Sequence, residues 1–143
     1  MAVKLEPDDA DNYNSRGCLY KDMDQATKAF EDFNKALELN PDLGIVYFNR
    51  GDLYKEKGEH EKALKDFDIA IKLEPEDGDN YSKRGGVYQA MGQQSKAMKD
   101  YTRAIKIESD NGEPYNSRGT LYEAMEEQEN ALKDYNKAIE LDP

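Results

Sequence analysis

Tyr13-Asn14-Ser15-Arg16-Gly17 returns as Tyr47-Phe48-Asn49-Arg50-Gly51, then as Tyr81-Ser82-Lys83-Arg84-Gly85, then as Tyr115-Asn116-Ser117-Arg118-Gly119. The interval is 34 residues each time, with no insertion or deletion. A second string keeps the same period: Ala29/Phe33/Ala36, Ala63/Phe67/Ala70, Ala97/Tyr101/Ala104 and Ala131/Tyr135/Ala138. Self-similarity at a fixed period of this length marks a chain built from stacked supersecondary units. The frame divides the sequence into units over 10–43, 44–77, 78–111 and 112–143, behind a leading segment, 1–9. Val3-Lys4-Leu5-Glu6-Pro7 echoes Ile71-Lys72-Leu73-Glu74-Pro75, so that segment reads as the remnant of a preceding unit. Boundaries that fall on the repeat suggest part of a longer array or an engineered block. No polar capping helix follows the fourth unit, so end-to-end self-association through the terminal helices is expected.

Within each unit the apolar period is helical. Tyr47, Gly51 and Tyr54 share one face, and Ala63, Phe67, Ala70 and Ile71 share the face of a second helix. Lys57-Gly58-Glu59 supplies a turn between them, with a helix-ending glycine. Pro7, Pro41, Pro75 and Pro143 stand where the second helix must stop. In the third unit Ser109 replaces the proline, and Asn111-Gly112 supplies the break. These signals predict eight helices, over 10–23, 26–39, 44–57, 60–73, 78–91, 94–107, 112–125 and 128–141.

A glycine inside a helix costs about 1 kcal/mol relative to alanine. Its recurrence at Gly17, Gly51, Gly85 and Gly119 therefore implies a steric reason. The expected one is close backbone approach to Ala29, Ala63, Ala97 and Ala131. Twelve of the fourteen aromatic residues occupy three places in the repeat, which is a core pattern.

These residues resemble the tetratricopeptide repeat, a 34-residue unit patterned as W-x2-L-G-x2-Y, then A-x3-F, A and P. The resemblance covers residues 10–143. It implies an all-α fold, a right-handed solenoid of antiparallel helix pairs, with the first helix of each pair lining a concave groove. It also implies a non-catalytic protein–protein interaction scaffold that binds a peptide or helix of a partner. Two alternatives stand beside it: the substrate-recruiting segment of a larger enzyme, and a self-stacking architectural block. The sequence departs from the family pattern at two places. Tyrosine stands for the family's tryptophan throughout, and Arg16, Arg50, Arg84 and Arg118 stand where leucine is usual.

Each arginine is followed 16 residues later by an aspartate: Asp32, Asp66, Asp100 and Asp134. Across an antiparallel hairpin with its turn midway, such residues face one another. Four structural ion pairs are expected, partly desolvated and hydrogen-bonded. On sequence alone, Asp100→Ala is expected to cost more than Arg84→Leu, because it strands the arginine.

On the groove side, unit two stands out. Phe48 is off the three framework places, and so is Phe30, which takes the place of Leu64, Met98 and Leu132. Ile45 precedes Phe48 by one helical step. Apolar anchors ringed by polar groups are typical binding hot spots, and the resemblance adds Asn49 as an amide for a peptide backbone. The candidate groove set is Asn14, Ile45, Phe48, Asn49, Asp52, Lys83 and Asn116. The family's clamp for chaperone C-termini carries lysine, asparagine and arginine. Here those places hold Asn14 and Cys18, then Asn49, then Asp79 and Lys83, which disfavours a chaperone-tail adaptor. Seven acids (Asp11, Asp22, Asp52, Glu56, Asp79, Glu113, Glu123) against three bases (Lys21, Lys55, Lys83) favour a neutral to basic ligand with an apolar anchor.

Composition excludes other classes. The net charge of −11, from 31 acidic and 20 basic residues, disfavours nucleic acid as a partner. No apolar run reaches the ~20 residues of a membrane span. His60 and Cys18, the single residues of their kinds, fall far apart in the frame, so no zinc site or catalytic dyad is expected. His60 is expected to be solvated. No cofactor motif is present, and one cysteine suits a reducing, cytoplasmic setting. Acidic clusters at Asp8-Asp9-Asp11 and Glu74-Glu76-Asp77-Asp79 are read as helix caps, and the sequon Asn80-Tyr81-Ser82 as chance.

Overall fold

The computed structural model describes residues 9–143; the echo over Val3–Pro7 lies outside them. Eight helices follow in order: α1 (Ala10–Asp22), α2 (Ala26–Leu39), α3 (Gly44–Glu56), α4 (His60–Leu73), α5 (Gly78–Ala90), α6 (Gln94–Ile107), α7 (Gly112–Ala124) and α8 (Gln128–Leu141). The first helix of every pair ends one residue before its expected end. At that point Met23, Lys57, Met91 and Met125 become the caps, each donating its N–H back into the last turn. The fold is an all-α solenoid of helix pairs.

Two compact units divide the chain, the first ending at Leu73 and the second beginning at Glu74. Each holds two hairpins, α1/α2 with α3/α4 and α5/α6 with α7/α8. Side chains of the second helices fill them. Ala29, Phe33 and Ala36 are fully buried, as are Ala63, Phe67, Ala70, Ala97 and Ala104. The next hairpin then closes over them. In the first unit Val46 and Leu53 join the cluster around Phe33, and Phe30 lies 4.7 Å from Tyr54, ring to ring. Leu121 does the same over Ala97 and Tyr101 in the second.

The helical glycines answer to a different neighbour from the expected alanines. A Cβ on Gly17 would stand 2.7 Å from Cε1 of Phe33 and 3.3 Å from Cβ of Asp32. One on Gly85 would stand 2.9 Å from Cε1 of Tyr101 and 3.2 Å from Cβ of Asp100. The glycine makes room for the aromatic ring and the aspartate of the second helix. The alanines instead fill the second helix's own buried stripe.

Proline and tyrosine cooperate at the hairpin junctions. Tyr47 Oη donates to the Pro41 carbonyl at 2.9 Å, and Tyr81 Oη to the Pro75 carbonyl at 3.1 Å. Asp9 caps α1, Asp77 caps α5 and Asn111 caps α7, each accepting an N–H of the first turn. Asn80 of the sequon is 2% exposed, so its amide is closed to modification. His60 is half-buried rather than solvated, and its Nδ1 is enclosed without a hydrogen-bond partner.

Candidate functional site

The four arginines sit against their aspartates in one repeated geometry. Nε donates to Oδ2 and Nη2 to Oδ1, at 2.7–2.9 Å in every hairpin. The aspartates are buried at 5%, 2%, 5% and 4% exposure in chain order. Bidentate, charge-assisted bonds of this kind are the strong ones. They raise the arginine pKa at Arg16, Arg50 and Arg118, against the opposing pull of desolvation.

Why arginine stands where the family has leucine is visible in the rings around it. Arg16 lies 5.6 and 5.7 Å from the ring centroids of Tyr13 and Tyr20, and Arg118 keeps 5.8 and 5.7 Å from Tyr115 and Tyr122. Arg84 lies 5.8 Å from both Tyr81 and Tyr88. The planar cation is thus held between two tyrosines, three residues before it and four after, while its fork grips the aspartate. Spacing alone carried this signal, since both tyrosines recur with the arginine in every unit. The third guanidinium nitrogen adds a link between hairpins: Arg50 Nη1 donates to Asn34 Oδ1 at 2.9 Å.

The groove set divides between the units. Asn14, Ile45, Phe48, Asn49 and Asp52 belong to the first, Lys83 and Asn116 to the second. Asn49 Nδ2 donates to Asn14 Oδ1 at 3.0 Å, tying α3 to α1. Ile45 is 46% exposed. Phe48 is half-buried, its ring edge-on to Phe67 at 6.0 Å and 67°. The apolar spot is therefore an exposed isoleucine beside a phenylalanine already seated on the core.

Asp52 departs from a lining role. It is 8% exposed and takes Lys21 Nζ at 2.6 Å, with Glu56 at 3.6 Å from the same amine. Packing of α1 on α3 encloses this pair, so it serves the hairpin stack. Cys18 is half-buried on α1, and burial pushes its thiol pKa up despite Lys21 nearby. Lys83 is half-buried and engaged, and Asn116 is exposed.

Carboxylate oxygens of Asp77, Asp79 and Glu108 lie within 4.8 Å of one another at the N-terminus of α5. That spacing could hold a cation, yet two of the three carboxylates already have local work. Asp77 caps the helix, accepting from Asp79 N at 3.0 Å, and Glu108 accepts from Asn111 Nδ2 at 3.3 Å. Desolvation, then crowding by the neighbouring carboxylates, raises the pKa of Asp79, partly relieved by Lys83.

Models of the tetratricopeptide repeat match residues 10–43, 45–77, 79–111 and 113–143. The chain belongs to the tetratricopeptide repeat family. No curated protein shows a significant sequence match. Among solved structures, a crystal structure of MamA is 28% identical with a TM-score of 0.85, over 95% of this chain and 80% of that one. PilF of Pseudomonas aeruginosa, 18% identical, superposes with a TM-score of 0.88 over 96% of this chain and 63% of its own. The first repeat domain of Spaghetti (RPAP3), bound to the HSP90 peptide SRMEEVD, is 22% identical with a TM-score of 0.78, over 87% of this chain and 98% of its own.

Proposed function

We propose that this repeat protein is a non-catalytic interaction scaffold whose first unit takes a peptide or helical segment of a partner on the face shared by α1 and α3. The observation that carries the reading is Ile45, 46% exposed beside Phe48, with the Asn14–Asn49 amide pair adjoining it. An apolar anchor can bury itself against Ile45 and Phe48. The amide pair keeps a carbonyl and an NH2 for a peptide backbone. Acidic residues around the face favour a neutral to basic segment, mainly through encounter rate. An intracellular setting fits a chain with one free cysteine.

Peptide display on the immobilised chain, followed by calorimetry of the selected peptide, tests this. Ile45→Ala should weaken binding by about tenfold, or ~1.4 kcal/mol, and Asn49→Ala by a similar amount. Unchanged affinity in Ile45→Ala would remove this face from the account. Phe48→Ala should lower stability as well as affinity, because it strips an edge contact from Phe67.

A second reading, the self-stacking block, has its own support in exposed apolar side chains. Leu132 and Ile139 on α8 are 60% and 64% exposed, and Leu19 on α1 is 58% exposed. The places equivalent to Leu19 in the later units hold Leu53, Val87 and Leu121, all buried. Sedimentation at rising concentration tests it: self-association that Leu132→Glu/Ile139→Glu abolishes supports stacking, and a strict monomer ends it.

A further inference from the structure

Charge on the second helices is uneven. Helix α6 carries Lys96, Lys99, Arg103 and Lys106 against a single acid, Asp100, which Arg84 already neutralises. Its counterparts do not repeat this. Acids outnumber bases on α2 and α8, and α4 is balanced. In a chain with a net charge of −11, four cations on one helix form a local exception.

They also share a face. Positions 96, 99, 103 and 106 advance by three, four and three residues, so the side chains line one stripe. At 1.5 Å rise per residue, the row runs roughly 15 Å, with cations about 5–6 Å apart. All four residues are exposed, as is Thr102 between them. Beside the stripe lies a hollow of about 340 Å³, lined by Tyr81, Arg84, Lys99, Thr102, Arg103 and Lys106, with Asp100, paired to Arg84, as its one carboxylate. Arg84 and Arg103 both stand 5.8 Å from the Tyr81 ring centroid. The carboxylate nearest Arg103 is Glu76, 3.9 Å away and 80% exposed, so that pair is weak. Among the described residues no ion pair engages Lys99 or Lys106.

We infer that this outer face of the second unit is a second docking surface, one that takes a short acidic peptide segment of a partner protein. An extended segment with Asp or Glu at every second residue presents carboxylates about 6.7 Å apart on one side, close to the spacing of the cations. A helical segment with acids at every third or fourth residue matches as well. The short row and the acidic remainder of the chain select a short ligand over a long polyanion, which would run off the stripe into repulsion. Chemically the surface is the opposite of the α1/α3 face, which favours neutral to basic segments. The two faces therefore select segments of opposite charge.

The test is fluorescence anisotropy on the whole chain at low salt. The probe is a labelled ten-residue peptide of alternating Glu and Ala, with the Gln/Ala peptide as its neutral counterpart. The Glu peptide should bind and the Gln peptide should not, and added salt should weaken binding because exposed charges are screened within about 10 Å at 0.1 M. Lys99→Glu/Arg103→Glu should weaken the Glu peptide by about tenfold, equivalent to ~1.4 kcal/mol. Neutralising Lys99→Gln/Lys106→Gln should weaken it by a smaller factor. Lys62→Glu/Lys65→Glu, the same reversal on α4, should leave affinity within about twofold if the surface is specific. Equal loss in both reversals overturns the proposal, and so does tighter binding of a ten-nucleotide oligodeoxythymidine. Ile45→Ala leaves this measurement untouched, so failure here is separable from failure at the α1/α3 face.

Discussion

Arg84 covers Asp100: Nε and Nη2 each donate to one carboxylate oxygen, at 2.9 and 2.8 Å, and the aspartate side chain beneath is 6% exposed against 21% for the arginine. Burial reverses the expectation drawn from spacing alone. Removing the arginine leaves the deeper, more dehydrated charge uncompensated. Removing the aspartate leaves a guanidinium that still has two tyrosine rings and reaches water. Arg84→Leu should therefore cost about 3–5 kcal/mol and Asp100→Ala less. Arg84→Leu/Asp100→Leu, with neither charge present, should recover much of the loss. Thermal melts of the three variants check the order, and a milder Arg84→Leu would show that water reaches the carboxylate.

Gly17→Ala should destabilise, although alanine is the better helix former by about 1 kcal/mol. The new methyl would meet the Phe33 ring at 2.7 and 2.8 Å, and Phe33 is fully buried with nowhere to swing. Overpacking of this kind costs typically about 1–3 kcal/mol. A drop in the urea midpoint without a change in slope is the expected readout. A rise would mean that the hairpin opens by a few tenths of an ångström at no cost.

The hairpin turns share a backbone conformation that only half of them fill with glycine. Gly58 and Gly92 adopt φ of 74° and 75°, while Asp24 and Glu126 hold 58° and 62° at the same place in their units. A side chain in this left-handed region costs about 1–2 kcal/mol, less for aspartate, which tolerates it better. Glu126→Gly should therefore stabilise by roughly 0.5–1 kcal/mol, net of the extra freedom that glycine gives the unfolded chain. Asp24→Gly should gain less. Thermal melts of both variants decide, and a loss in Glu126→Gly would mean that the glutamate supports its turn in another way.

How far the sequence reached depended on whether a feature repeats. Helix limits, hairpin order and the arginine–aspartate register recur four times, so spacing alone locates them, to within one residue at the helix ends. Asymmetric features were harder to see. The expected tie from each glycine to an alanine failed because periodicity gives the face of a helix and not which of its residues comes opposite. Asp52 looked like a groove residue because its place in the frame faces that side. Lys21, 31 residues earlier, takes it out of solvent through a pairing that the other units do not reproduce. The basic stripe on α6 is invisible in the balance of the whole chain, because a net of −11 hides four cations on one helix.

Asp79 carries the pH dependence that differs from an ordinary surface carboxylate. Desolvation, then Glu108, Asp77 and Glu113, raise its pKa above the usual 3.8. An acid with a raised folded pKa binds more protons in the folded chain than in the unfolded one between the two values. Stability from this group therefore falls as pH rises through that window, and the deficit is complete above the folded pKa. Asp79→Asn removes the charge and keeps the shape. Its melting temperature should exceed that of the parent at pH 7, and the gain should shrink as pH falls and vanish below about 3.8, where the parent is protonated too. The substitution also gives up a favourable charge in the first turn of α5. A melting temperature at pH 7 below the parent's would mean that this attraction outweighs the crowding of the four carboxylates.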